Sequence, residues 1–285
     1  AMKHIVRLKN GAEVPALGLG TWYLGDDAGR RAREIAALRT GIEKGMTLID
    51  TAEMYGGGGS ERLVGEAIKG TERGRLFIVS KVLPNNAGRR GIFRSCEESL
   101  QRLGTDYLDL YLLHWRGSVP LAETVECMEK LERDGMIRGW GVSNFDTDDM
   151  DELRRVKVGD GCLVNQVLYH AASRGIEYSL LPRMRESGVA LMAYCPLAQG
   201  GSLRRGLFRS RALNDIAARR GATVAQILLA WAIRGGNAIA IPRSSSPEHT
   251  AENAGADAIE LTAEELAAID REFAPPRRKE PLDIQ

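Results

Sequence analysis

Short apolar runs, each closed by a polar residue, recur along the chain and alternate with stretches whose apolar positions return every three to four residues. Runs at 46–50, 76–81 and 107–114 are β-branched or leucine-rich up to their polar ends, the pattern of strands buried on both faces. The residues that end such runs are Thr21, Asp50, Lys81, His114, Ser143, Gln166, Tyr194 and Arg243, and the first seven are spaced by about 23 to 33 residues. That interval holds one strand, one helix and two short loops. Between the runs, Ile35, Leu38 and Ile42 form a helical stripe ending at Gly45, and a serine-capped helix spans Ser60 to Gly70. Further stripes cover 92–103, 121–132, 150–156 and 180–186. Eight alternating units predict an α/β fold, the (β/α)8 TIM barrel, whose usual length of about 250 residues leaves 285 residues only short insertions.

Two segments depart from this rhythm. Asn10-Gly11, flanked by 5–8 and 13–14, predicts an N-terminal β-hairpin, which over residues 1–15 would close the bottom of the barrel. Between Tyr194 and Ala238 there is room for a loop, 197–207, and two helical stretches; the loop is rich in glycine and arginine and is expected to lie over the site as a mobile flap. The chain reads as one domain, 1–285, with a short charged tail at 275–285.

Composition narrows the function classes. With 44% hydrophobic and 27% charged residues the chain can bury a sizeable core, and a net charge of +1 gives no basic surface for nucleic acid or anionic membrane. No apolar run approaches the roughly 20 residues of a membrane span and no secretory pattern opens the chain, so a cytoplasmic location is expected. Cys96, Cys127, Cys162 and Cys195 are isolated, which argues against disulfides and structural zinc.

The candidate chemistry stands at the strand ends. Asp50, Lys81 and His114 close three separate runs, and Tyr55 follows the first of them by five residues. Parallel strands would bring a carboxylate, a cation, an imidazole and a phenol around one small pocket, a complete set for delivering a proton. Each residue alone has a plainer reading: Tyr55 as a packed loop residue, Asp50 with Lys81 as a rim ion pair, His114 as a core histidine. The run Gly56–Gly59 lacks the strand–GxGxxG–helix context of a phosphate loop and reads as the flexible segment that carries Tyr55.

Ordered motifs then add to this reading. GLGTW at 18–22, IDTAEMYGGGGSE at 49–61, VSK at 79–81, YLLHW at 111–115, GVSNF at 141–145, NQVLYH at 165–170, AYCPL at 193–197 and IPRSSSPEHTAEN at 241–253 resemble, in sequence and order, the signatures of the aldo-keto reductases, in particular the short bacterial-type members. The resemblance spans essentially the whole chain. It implies reduction of aldehydes or ketones with NADPH on a (β/α)8 barrel, without a metal, by a protein that is by family default a monomer.

Reducing a carbonyl adds a hydride to carbon and a proton to oxygen, so a proton donor must stand beside the developing alkoxide. Tyr55 is the expected donor. Lys81 is expected to depress its pKa, Asp50 to keep Lys81 charged, and His114 to donate to the carbonyl oxygen and orient it. For the cofactor, the resemblance implies that Ser143, Asn144 and Gln166 hold the nicotinamide carboxamide, that Tyr194 stacks on the ring, and that Gly20, Thr21, Trp22 and Asp50 line its edge. The loop 197–201, with Leu197, Gln199 and Gly200, would cross the pyrophosphate, its glycines allowing close backbone approach, and Cys195 and Pro196 ahead of it would also meet the cofactor. Ile241, Arg243, Ser244, Ser245, His249, Glu252 and Asn253 would take the adenosine end, with Arg243 and Ser244 on the 2′-phosphate and Glu252 and Asn253 on adenine. His249 replaces the arginine usual in strongly NADPH-selective members, so moderate NADPH preference with NADH possible is expected. Trp22, Tyr55, His114 and Trp115 would contact substrate, and Trp22, Trp115, Tyr23 and Phe145 would make aromatic walls around an open pocket for small aldehydes and dicarbonyls such as methylglyoxal. Two rival readings are a redox-sensing regulatory subunit that binds the cofactor with little turnover, and another barrel enzyme, a metal-dependent hydrolase or a Schiff-base aldolase using Lys81.

Overall fold

The computed structural model describes residues 1–285. Eight parallel strands follow one another around a barrel: β3 (Leu19–Gly20), β4 (Leu48–Asp50), β5 (Phe77–Val82), β6 (Leu110–Leu113), β7 (Trp140–Ser143), β8 (Cys162–Leu168), β9 (Ala190–Tyr194) and β10 (Ala238–Ala240). Apart from the partly buried Phe77 and Tyr194, every residue of these strands is buried, as the unbroken apolar runs require. The seam between β3 and β10 closes through parallel bridges Leu17–Ala240 and Gly20–Arg243, with Gly18 N–H donating to Ala240 O at 2.9 Å. Gly20 is needed there: a Cβ would stand 2.6 Å from Ile241 O. This close approach gives Gly20 a structural reason independent of any ligand.

Helices α1 (Arg31–Glu43), α2 (Gly59–Ala67), α3 (Ile92–Leu103), α4 (Leu121–Arg133), α5 (Thr147–Arg155) and α6 (Leu180–Glu186) alternate with the strands. Three helices, α7 (Gly201–Phe208), α8 (Arg211–Arg220) and α9 (Val224–Ala232), separate β9 from β10, and α10 (Pro247–Ala254) and α11 (Ala263–Glu272) complete the chain. The expected loop at 197–207 is therefore half helical. Leu207 is buried and Ser210 caps α8, so tertiary packing overrides the low helix propensity of Gly201 and Gly206. The serine cap expected for the second helix is also corrected. Gly58 occupies the N-cap, and the Ser60 hydroxyl donates instead to Thr21 Oγ1 at 2.8 Å inside the barrel wall.

At the opposite end, β1 (Ile5–Arg7) and β2 (Glu13–Pro15) pair as the expected antiparallel hairpin, with Gly11 at φ +90° in the turn and Val6 and Val14 buried. Lys9 from this hairpin donates to the carbonyls of Asp160 and Ser187, just ahead of β8 and β9, which fixes the hairpin beneath the N-terminal face. The C-terminal strand face is left free, where (β/α)8 barrels hold their sites.

Candidate active site

Asp50 ends β4, Lys81 lies in β5, and His114 follows β6, so one side of the barrel mouth collects a carboxylate, an ammonium and an imidazole. Tyr55 arrives at the head of a tight kinked turn, Tyr55–Gly58, in which Gly56, Gly57 and Gly58 all have positive φ. A Cβ on Gly58 would meet the Arg102 side chain at 2.7 Å. The glycine run is thus a left-handed turn that aims Tyr55, with Gly58 buried against Arg102 and Gly56 and Gly57 exposed.

The Lys81 ammonium is fully buried and has three acceptors: Asp50 Oδ2 at 2.8 Å, Thr51 O at 2.9 Å and Tyr55 Oη at 3.0 Å. Three donors meet three acceptors, which satisfies a charged ammonium. Because the phenol oxygen accepts from Lys81, its own hydrogen is free to point into the pocket. Gln166 Nε2 donates to the other Asp50 oxygen at 2.8 Å, so a residue expected only to hold cofactor also supports this ion pair. Burial pushes Asp50 up and Lys81 down, and each charge opposes the shift of the other.

The expected acidification of Tyr55 is not found. Burial, followed by the nearby Asp50 charge, raises the phenol well above its ordinary value. The reason is that Lys81 is already neutralised by Asp50, so desolvation outweighs its attraction. Tyr55 therefore rests as a protonated acid. His114 stands edge-on to Tyr55 with ring centroids 5.8 Å apart. Burial, with the Lys81 charge adding, lowers it to about 3. Its Nδ1 is buried without a partner, which suits a neutral ring carrying its proton on Nε2.

A buried neutral histidine also makes stability depend on pH. His170, likewise buried, is lowered to about 4. An unfolded histidine titrates near 6.5, so as pH falls below about 6.5 the unfolded chain binds protons that the folded chain refuses. Stability is full above that value and falls as pH drops toward 4, by about 2 kcal/mol per histidine at pH 5. Urea unfolding at pH 7 and pH 5 should show the loss, and a smaller one in His114→Asn; equal stability at both values would contradict it.

The pocket that opens over this cluster has a volume of about 270 Å³. It is lined by Gly20, Thr21, Trp22, Asp50, Tyr55, His114, Ser143, Asn144, Gln166, Tyr194, Cys195, Pro196, Leu197, Gln199, Ile241 and Arg243, all of them expected from the sequence. Asn144, at φ +59°, donates to the His114 backbone carbonyl at 3.1 Å and accepts from the Tyr194 hydroxyl at 2.8 Å, which fixes its own side chain and that of Tyr194. Ser143 Oγ donates to Gln166 O, leaving its lone pairs and Gln166 Oε1 for a ligand. Cys195, whose thiol burial pushes up to about 11, stays a neutral packing group.

Several expected residues stand elsewhere. Lys81 lies beneath the pocket floor, and Trp115 is at the rim, in contact with His114. Gly200, Ser244, Ser245, His249, Glu252 and Asn253 fall outside the lining, on the α7 entry or the β10–α10 segment. There Ser244 Oγ donates to Ser246 O and the buried Asn253 sits within α10. Phe145 is fully buried and makes no wall. Ala198, within the expected 197–201 loop, also lines the pocket, and Met54, Arg204, Pro242 and Gln285 line it beyond the residues expected. Arg204 was visible within an arginine-rich segment; Gln285 had no signal, because its place depends on the path of the tail. That path differs from the open edge expected. Lys279 pairs with Asp146, Ser173 Oγ donates to Asp283, and the Gln285 N–H donates to the Tyr194 hydroxyl at 3.3 Å.

Residues 16–272 match the model of the aldo/keto reductase family. The chain is 50% identical to methylglyoxal reductase YeaE of Escherichia coli K12 over 98% of both chains, and 36% identical to glyoxal reductase of Bacillus subtilis 168 over 95% of this chain and 93% of that one. A crystal structure of an aldo-keto reductase from Klebsiella pneumoniae in complex with NADPH superposes with a TM-score of 0.96 at 56% identity, covering 100% of both chains. A match over most of the chain, on a barrel whose mouth gathers Asp50, Tyr55, Lys81 and His114, leaves one conclusion: this chain belongs to the aldo/keto reductase family.

Proposed function

We propose that this protein reduces small aldehydes and dicarbonyls, methylglyoxal foremost, to alcohols with NADPH, with Tyr55 as the proton donor. The observation that carries the reading is the Lys81 ammonium held between Asp50 and the Tyr55 hydroxyl under the pocket floor. The pocket suits a dinucleotide: Tyr194 offers a ring face, Gln166 Oε1 and Ser143 offer acceptors for an amide, and Arg204 and Arg243 make the lining cationic. When bound, the reduced nicotinamide supplies a hydride to the carbonyl carbon.

The chain's own residues do the rest. Tyr55 passes its proton to the carbonyl oxygen, and the phenolate that forms is stabilised by the Lys81 ammonium already 3.0 Å away. The interaction is stronger after proton transfer than before it, so it lowers the barrier rather than merely binding substrate. Asp50 and Thr51 O hold Lys81 in place, and neutral His114 donates from Nε2 to the same carbonyl oxygen, fixing its angle. Trp22, stacked on Tyr23 at 4.5 Å, forms the apolar wall. The substrate class is supported by the activities named for the two bacterial relatives.

Loss of NADPH absorbance, then of NADH, against methylglyoxal, other aldehydes, ketones and quinones tests the reading. Turnover with methylglyoxal and NADPH is expected; no consumption with any carbonyl would favour a redox-sensing role and sink the proposal. Arg243→Ala should weaken NADPH use by roughly tenfold while sparing NADH; equal use of both cofactors by the unmodified protein would show that Arg243 does not read the 2′-phosphate. The same reading has the enzyme act as a cytoplasmic monomer. It is supported by four unbridged cysteines and by exposed apolar side chains that are scattered, such as Ile5, Val158 and Tyr178.

A further inference from the structure

Glu61 lies in the first turn of α2, yet it is fully buried. A buried carboxylate is costly unless its oxygens find donors. Here Oε1 accepts from Arg102 Nε and Oε2 from the Ser80 hydroxyl, each at 2.7 Å. Ser80 immediately precedes Lys81 in β5. Successive side chains of a strand face opposite ways, so Glu61 grips β5 from outside the barrel wall where Lys81 stands inside it. Arg102, in the last turn of α3, has no other carboxylate within ion-pair distance. Its backbone carbonyl packs against α2 at Gly65, where a Cβ would stand 2.6 Å from it. The Arg102 side chain reaches Gly58, where a Cβ would meet Cδ at 2.7 Å and Nε at 2.9 Å. Gly58 ends the turn that Tyr55 begins. The middle of that turn is held far less closely: Gly57 is exposed, and a Cβ there would meet nothing within 4 Å. One buried ion pair therefore touches both sides of the Lys81–Tyr55 bond, the strand through Ser80 and the turn through Gly58.

We propose that Glu61 and Arg102 are positioning residues for the proton donor: Arg102 seats the Gly58 end of the turn, Glu61 ties that seat to β5, and together they hold the Tyr55 hydroxyl on the Lys81 ammonium. The proposal rests on the reading of Tyr55 as the acid given above. Neither residue lines the pocket, so their effect falls on the chemical step rather than on binding. The step is sensitive to placement, since a displacement of about 1 Å costs roughly 10²-fold in rate.

Single-turnover reduction of methylglyoxal by bound NADPH, run in H2O and in D2O, tests this in the wild type, Tyr55→Phe, Ser80→Ala and the double variant Glu61→Gln/Arg102→Met. The double variant removes both charges at once and keeps both side-chain lengths, so no charge is left stranded. Its rate is expected to fall by roughly tenfold to 10²-fold. KM for methylglyoxal and the NADPH dissociation constant should stay within about twofold of the wild type. The solvent isotope effect should rise above that of the wild type, because a displaced phenol makes proton transfer the slower event. Ser80→Ala leaves the ion pair intact and cuts only its tie to β5. It should show the same signature at smaller size, and it carries the test if the double variant does not fold. A wild-type rate and isotope effect in the variant that carries the test would overturn this inference alone, as would a slower rate with an unchanged isotope effect, which a purely structural pair would give. A wild type that does not oxidise NADPH, or a Tyr55→Phe variant as fast as the wild type, would overturn the functional reading together with it.

Discussion

Replacing Tyr55 by Phe is expected to cut the rate of carbonyl reduction by roughly 10³-fold or more while leaving NADPH affinity nearly unchanged. The ring still packs against Trp22, 6.3 Å away, and His114, so the pocket keeps its shape. What is lost is the only hydroxyl that bonds to the Lys81 ammonium. Neither Thr51, which offers its carbonyl, nor neutral His114 can replace that proton and receive the same stabilisation afterwards. Steady-state turnover with a small aldehyde, alongside a binding titration, separates chemistry from cofactor binding. Turnover within tenfold of the wild type would remove Tyr55 from the mechanism.

Lys81→Met carries the second large effect, and it acts on two quantities at once. Removing one partner of a fully buried ion pair strands the other charge, which costs about 3–5 kcal/mol of folding stability. Asp50 keeps only its bond from Gln166 to offset this. The rate should fall as well, by roughly 10²-fold or more, because the developing phenolate has lost its cation. The double variant Asp50→Asn/Lys81→Met distinguishes the two losses: stability should largely return, since no charge remains buried, and activity should not. Urea titration and turnover on both variants are the measurements. Recovery of activity in the double variant would show that Lys81 is structural.

Much of this was legible because a parallel barrel writes its active face into the sequence. Apolar runs buried on both sides end where the strand meets the pocket, so Asp50, His114, Ser143 and Tyr194 declare themselves by position. The hairpin was equally plain from Asn10-Gly11. What sequence could not carry were choices made by packing. Ser60 looks like a helix cap, yet its hydroxyl is drawn into a buried chain with Thr21 and Thr51. Glu61 looks like a surface residue of the first helical turn, yet it is fully buried against Ser80 and Arg102. Gly201 and Gly206 hide an eight-residue helix, and with it the inward placement of Arg204. The Tyr55 pKa departs from expectation for a related reason: a lysine beside a phenol makes an acidic phenol only when the lysine charge is not already matched. Here Asp50 matches it, and the site keeps its acid protonated until a carbonyl oxygen is in place.

The most direct measurement is a single turnover of enzyme-bound NADPH, carrying deuterium at both nicotinamide C4 positions, with a small aldehyde in ordinary water, followed by NMR of the product. The wild type should place one deuterium on the carbinol carbon, and Tyr55→Phe, with the same NADPH bound, should leave the aldehyde unreacted. An alcohol without deuterium from the wild type, or labelled alcohol formed at the wild-type rate by the variant, would contradict proton delivery from a lysine-backed phenol to a carbonyl under hydride attack.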